Sequence, residues 1–133
     1  MSTSAPLPKS APISGTYRPR GMLIGGQWVG SASGERIAVE NPAKRIVVAE
    51  VPRAAAADVD VAVSAADKAF PAWKSVVPRE RGRLLLRIAE AMEARVEEMA
   101  RTIALETGNA LRTQARGEAR LAADIFRYFG GLA

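Results

Sequence analysis

The chain contains no cysteine and no histidine. The first absence excludes disulfides, thiolate zinc sites and a cysteine nucleophile. The second removes the commonest acid–base group at neutral pH and the commonest metal ligand. Aromatic residues make up only 5% of the sequence, which favours helices packed closely through small side chains. No apolar run approaches the roughly 18 residues that a membrane span needs, so the chain reads as cytoplasmic, with no membrane partner. Acidic residues are missing from Met1 to Gly21, where Pro6, Pro8, Pro12 and Pro19 stand among Ser, Thr and Ala. Such a stretch buries too little apolar surface to offset its ordering entropy, and it lacks the apolar core of a secretory signal. Residues 1–21 are therefore expected to be a disordered tail, and 22–133 the ordered portion.

What is present is ordinary for a globular protein: 133 residues, 48% hydrophobic and 25% charged, enough for one modest domain. The net charge is +5 with a pI near 10.2, which raises the question of nucleic acid. The arginines of the longest helical stretch alternate with glutamates, however, as in Arg87/Glu90 and Glu97/Arg101. That is the pattern of a solvated helix face. Phosphate binding calls for a stripe of one sign, with aromatics interleaved where bases stack. No nucleic-acid partner is expected.

The long stretch Pro78–Gly108 organises the rest. Leu85, Ile88, Met92, Val96, Met99 and Ile103 recur at steps of three and four and form one apolar stripe. Pro78 suits a first helical position and Gly108 a left-handed helix end. Upstream, Leu23-Ile24-Gly25-Gly26-Gln27-Trp28-Val29 predicts a tight hairpin around the Gly-Gly pair, since no G-x-G-x-x-G or Walker pattern follows. Residues 36–40 and 46–51 predict two further strands, joined through Asn41-Pro42 and closed by Pro52. From Ala54 the period becomes helical. Val59, Val63, Ala66, Phe70 and Trp73 form a second seam, expected to end before Pro71. Asp58 and Asp60 sit in its first turn, where carboxylates complement the helix dipole; with no third ligand nearby, that account outweighs a metal or acid–base pair. A third helix is expected from about Leu111 to Phe129, with Ala115, Ala119, Ala122, Phe126 and Phe129 as its seam and Gly130-Gly131 as its interruption.

Five of these strings, LIGGQWV, ENPA before IVVAEV, AAADVDVAVSAADKAFPAW, ERGRLLLRIAEAMEARVEEMARTIALETGNAL and RYFGGLA, stand in an order and spacing that resembles the N-terminal portion of the aldehyde dehydrogenase superfamily. The resemblance spans Met22 to Ala133 and implies an α+β fragment: β-hairpins followed by amphipathic helices that belong to the family's α/β cofactor-binding domain. It implies a family reaction, the NAD- or NADP-dependent oxidation of an aldehyde to an acid through a cysteine thiohemiacetal. The nucleophile, the base and the dinucleotide loop all lie beyond the matched portion. The chain alone is thus expected to be inactive and to hold no cofactor, with no catalytic or cofactor-binding residue of its own. Its implied partner is the remainder of an aldehyde dehydrogenase chain or a similar apolar surface, in a family that is often homo-oligomeric. Some members hold a monovalent cation at positions that match Val39 or Glu40 and Glu106; without the resemblance, Glu106 reads simply as a solvated carboxylate near a helix end. The resemblance also implies a break of the long helix near Arg95-Val96. Lys44-Arg45 replaces the family's Thr-Gly, which puts the tight turn in question, and Asn109-Ala110 replaces Lys-Pro, which leaves the helix end at Gly108 while letting the next helix start differently. The alternative reading is a truncated, non-catalytic module that docks its apolar helix stripes on a partner.

Overall fold

The computed structural model describes residues 21–133; apart from Gly21, the expected tail lies outside the described residues. In chain order the elements are β1 (Met22–Ile24), β2 (Gln27–Val29), β3 (Arg36–Asn41), β4 (Ile46–Pro52), α1 (Ala56–Ser75), α2 (Pro78–Glu93), α3 (Val96–Thr107), a π-helical turn (Leu111–Ala115) and α4 (Arg116–Leu132). This is the α+β order that the sequence implies. Two compact units divide the chain: the described residues up to Ala65 with Leu105–Gly108, and Ala66–Ala104 with Asn109–Ala133.

In the first unit β1 and β2 pair antiparallel, with Leu23 opposite Trp28. Gly25 and Gly26 close them with φ of 58° and 81°, a pair of positive values whose twist matches that of the strands. β3 and β4 pair antiparallel from Arg36 opposite Pro52 to Asn41 opposite Ile46, with a bulge between Val39 and Glu40. The turn between them forms despite the loss of glycine. The buried Asn41 accepts the Lys44 N–H on its side-chain oxygen at 3.0 Å and the Arg45 N–H on its carbonyl at 2.8 Å. Arg45 takes φ 53°, a left-handed conformation that costs a side-chain-bearing residue more than it costs glycine.

Helix α1 departs from expectation twice. It runs through Pro71 to Ser75, where the proline alone would end it. The missing N–H deprives only the carbonyl of Asp67, four residues back on an exposed stretch that water reaches. The last turn is then closed by Ser75 Oγ on the Ala72 carbonyl at 2.8 Å. Its sheltered face is also not the expected seam. Val59, Val63, Phe70 and Trp73 are all exposed, while Ala55, Asp58, Ala62 and Ala65 are buried or half-buried. Small residues let the helix approach the first hairpin: a methyl added at Gly25 would lie 3.9 Å from the Ala65 Cβ.

The second unit is built on α2 and α4. Pro78 starts α2 at its first turn, and the long stretch breaks at Ala94-Arg95 into α2 and α3, as the resemblance implies and periodicity alone does not. Gly108 ends α3 with φ 75°. Helices α2 and α4 meet at glycines: a Cβ on Gly82 would lie 2.6 Å from the Gly130 carbonyl oxygen, and one on Gly130 would lie 3.1 Å from the Leu86 side chain. This contact explains why α4 continues through Gly130-Gly131 rather than being interrupted there. The helix gives up some propensity and gains an approach that no larger residue permits. Before α4, the Gln114 and Ala115 N–H groups both reach the Ala110 carbonyl, at 3.0 and 3.1 Å, so this turn is wider by one residue than an α-turn. The buried apolar residues of the described chain are all alanines: Ala89, Ala100, Ala115, Ala119 and Ala123. Ala100, Ala115 and Ala119 cluster together, with Val96, Met99, Ile103 and Leu111 packed against them. Of the expected third seam, Ala122 and Phe126 are half-buried and Phe129 is exposed.

Candidate functional site

The described residues hold no group of three or more His, Cys, Asp or Glu that could ligate a metal. Of the expected cation positions, Val39 is half-buried beside the register shift between β3 and β4, while Glu40 next to it and Glu106 in the last turn of α3 are exposed. The fold brings the end of α3 to the β3–β4 turn: Gly108 sits so close to Pro42 that an added Cβ would lie 3.0 Å from its ring and 3.5 Å from the Ala43 nitrogen. Asp60 is exposed and Asp58 buried, so the two do not form a pair. Asp58 instead accepts the N–H of Ala55 at 2.8 Å, that of Ala32 at 3.0 and 3.2 Å, and the Ser31 hydroxyl at 3.2 Å. The bond to Ala55 is half of a capping box, a carboxylate at the third helical position reaching back to the residue before the helix. The Ala55 N–H is the main influence holding the Asp58 carboxyl below its ordinary range; burial opposes it, and Ala32 and Ser31 reinforce it.

Charges in the second unit pair across helices rather than converge on a ligand. Arg116 donates both arms of its guanidinium to Glu97, at 2.6 and 3.0 Å. Arg127 bridges Asp124 of its own helix, at 2.8 Å, and Glu93 of α2, at 2.6 Å. Hydrogen bonding from Arg116 is the largest cause lowering the Glu97 carboxyl, with the charges of Arg116, Arg101 and Arg120 adding to it. These exposed pairs set orientation more than stability.

The chemically distinctive surface is apolar. Ile88, Met92, Met99 and Ile103, members of the expected stripe, line an open groove of about 460 Å³ that crosses the α2–α3 break, rimmed by the Arg95–Glu98 pair. On α4, Leu121, Ile125, Tyr128, Phe129 and Leu132 are 46–64% exposed, and the Tyr128 and Phe129 rings meet edge to face at 5.3 Å. Among the described residues, then, large apolar side chains remain outside while alanines fill the interior.

A family model described as the aldehyde dehydrogenase family matches residues 28–133. The chain belongs to the aldehyde dehydrogenase family. It is 41% identical to the alpha-ketoglutaric semialdehyde dehydrogenase of Bacillus subtilis over 82% of its own length and 22% of that protein's. Among solved structures it superposes on PnpE of a Pseudomonas species, solved in complex with nicotinamide adenine dinucleotide, with a TM-score of 0.83 and 40% identity; the match covers 86% of this chain and 24% of that one. An NAD-dependent aldehyde dehydrogenase from Sinorhizobium meliloti matches at a TM-score of 0.81 and 40% identity, over 86% of this chain and 23% of its own. The chain spans about a quarter of the length of the curated relatives it matches, and aligns to their N-terminal part.

Proposed function

We propose that this chain forms the N-terminal part of an NAD(P)-dependent aldehyde dehydrogenase, a cytoplasmic enzyme assembled from like subunits, and that alone it has no dehydrogenase activity. The observation that carries the inactive reading is the absence of cysteine from all 133 residues. Without a thiolate, no covalent adduct of the family's kind forms with an aldehyde carbonyl. Cofactor chemistry is hydride acceptance by NAD or NADP, and the residues present do not fit that group. Both sheets among the described residues are antiparallel hairpins, so no parallel strand end brings a helix N-terminus to a pyrophosphate. The chain's own contribution is structural, offering apolar faces to the portion that carries the chemistry. Val39, Glu40 and Glu106 remain candidates for a monovalent cation, supported by the seat of Gly108 on the β3–β4 turn.

The test is an assay of the purified chain with NAD and NADP against aliphatic and aromatic aldehydes, with calorimetric titration of both cofactors. No reduced cofactor above a protein-free control and no saturable binding are expected; turnover by the chain alone overturns the reading. A second reading, a non-catalytic module that docks on a partner, draws on the Arg116–Glu97 and Arg127–Glu93 pairs, which join the helices without help from outside the chain.

A further inference from the structure

We propose that the open pocket between the first hairpin and α1 binds a small primary alkylamine, its ammonium on the Asp58 carboxylate and its stem along Ile24, Val29 and Val61. Nothing in the function proposed above uses Asp58. These four residues line a pocket of about 530 Å³ together with Gln27 and Ser31, and all of them belong to the first unit. Asp58 is the only charged residue on the pocket wall, and it is 8% exposed. Its two oxygens are used unequally. Oδ2 accepts from the Ala55 and Ala32 N–H groups and the Ser31 hydroxyl. Oδ1 accepts from the Ala32 N–H alone, at 3.0 Å, although a carboxylate oxygen has room for two donors. All of these partners are neutral, and no Lys or Arg of the described residues pairs with Asp58.

Capping accounts for the bond to Ala55 and leaves the rest over. A carboxylate in water caps a helix start as well, whereas a sheltered one carries a charge that calls for a counter-charge. The dipole of α1 offsets part of that charge. The Ala55 N–H is the main influence holding the carboxyl below its ordinary range, so it stays ionised at neutral pH. An ammonium group supplies what is missing, an N–H donor for Oδ1 and a full positive charge in one charge-assisted bond. A guanidinium fits less well, because its planar fork needs two accepting oxygens side by side and Oδ2 already holds three donors. Ile24 and Val29 are half-buried and Val61 is exposed; together they offer apolar surface to an aliphatic stem. The wall holds no cation to receive a carboxylate, which favours a plain alkylamine over an amino acid.

The test titrates the whole chain with n-butylammonium chloride at neutral pH and constant ionic strength, read by calorimetry and by the backbone amide signals of Ser31, Ala32 and Val61. Saturable binding that shifts these amides is expected. Neutral n-butanol, which has the same stem, should bind about tenfold more weakly or worse, the worth of one charged hydrogen bond. Asp58→Asn should remove the preference for the amine. Because that variant also loses a helix cap, Val61→Lys provides the second arm: it keeps every bond of Asp58 and sets an ammonium of its own at the mouth of the pocket. Its helical signal should equal the parent's and its affinity for n-butylammonium should fall about tenfold or more. Equal binding of n-butanol overturns the proposal, as does a response that never saturates or that spreads evenly over the chain. So does Val61→Lys binding the amine as the parent does.

Discussion

Asp58 and Ala32 stand 26 positions apart in sequence, and the Ala32 N–H donates to both carboxylate oxygens of Asp58, at 3.0 and 3.2 Å. The same carboxylate receives the N–H of Ala55 at the start of α1. One side chain thus fastens the connection between the two hairpins to the helix that follows them. Losing it leaves the N–H of half-buried Ala55 without its partner, while that of exposed Ala32 turns to water, so the cost falls mainly at the start of the helix.

The Asp58 contact makes stability depend on acid. The Asp58 carboxyl is lowered from its ordinary value of 3.8, so the unfolded chain takes up the proton more readily than the folded one. The contribution is therefore complete above the unfolded value and disappears as pH falls through the lowered folded value. Asp58→Asn should be less stable than the parent at neutral pH, and the two should converge as pH falls through the lowered folded value. Thermal melts across this range, with amide exchange at Ala32 and Ala55, check it; an unchanging gap between the two proteins would contradict it.

The glycine contact between α2 and α4 predicts opposite effects of one substitution at two places. Gly82→Ala sets a methyl 2.6 Å from a backbone oxygen and should cost about 1–3 kcal/mol, as overpacking does. Gly117→Ala lies inside α4 with nothing within 4 Å and should gain about 0.5–1 kcal/mol from helix propensity. Urea unfolding of the three proteins decides the matter, and destabilisation by Gly117→Ala equal to that by Gly82→Ala would sink the packing account.

Arg45→Gly should stabilise the chain. A left-handed residue with a side chain carries a strain of about 1–2 kcal/mol, and glycine returns about 0.5–1 kcal/mol of that through its freer unfolded state. The net gain expected is roughly half a kcal/mol or more. Lys44→Gly, at a neighbouring position with no positive φ, should lose stability instead. Equal losses in both variants would show that Arg45 is not strained.

With only alanines buried among the apolar side chains of the described residues, the chain alone should be helical but loosely packed. A buried large apolar side chain contributes about 1.5–3 kcal/mol against a total of about 5–15 kcal/mol for a domain, and here those side chains stay largely in water. Far-UV circular dichroism should show helix, a hydrophobic dye should bind, and the thermal transition should be broad. A sharp melt in a dye-silent monomer would favour the stand-alone module.

The hairpins and the ends of α2 and α3 were legible because Gly25-Gly26, Asn41-Pro42, Pro78 and Gly108 act locally. Pro71 and Gly130 misled for the complementary reason: their local preferences were outweighed, by solvent around the Asp67 carbonyl and by the close approach of α2. The seams of α1 and α4 were correct as periodicity. Periodicity does not say whether a face is covered, however, and Val59, Phe70 and Phe129 lie exposed. Dipole placement described Asp58 truly but incompletely, since its partner Ala32 is distant in sequence. The proposed cation positions Val39, Glu40 and Glu106 rest on family resemblance alone, as no spacing in the sequence links β3 to the end of α3.

The wide turn at Leu111–Ala115 sets the angular phase of everything after it. One residue inserted within α4 would turn all that follows by about 100°, carrying Ile125, Tyr128 and Gly130 round the helix axis while Ala119 keeps its place. A residue removed from 111–114 could be absorbed, because the π-turn already holds one residue more than an α-turn requires. Length variation in this chain is therefore not symmetric: the same segment that accepts a shortening has no slack to offer for a lengthening downstream.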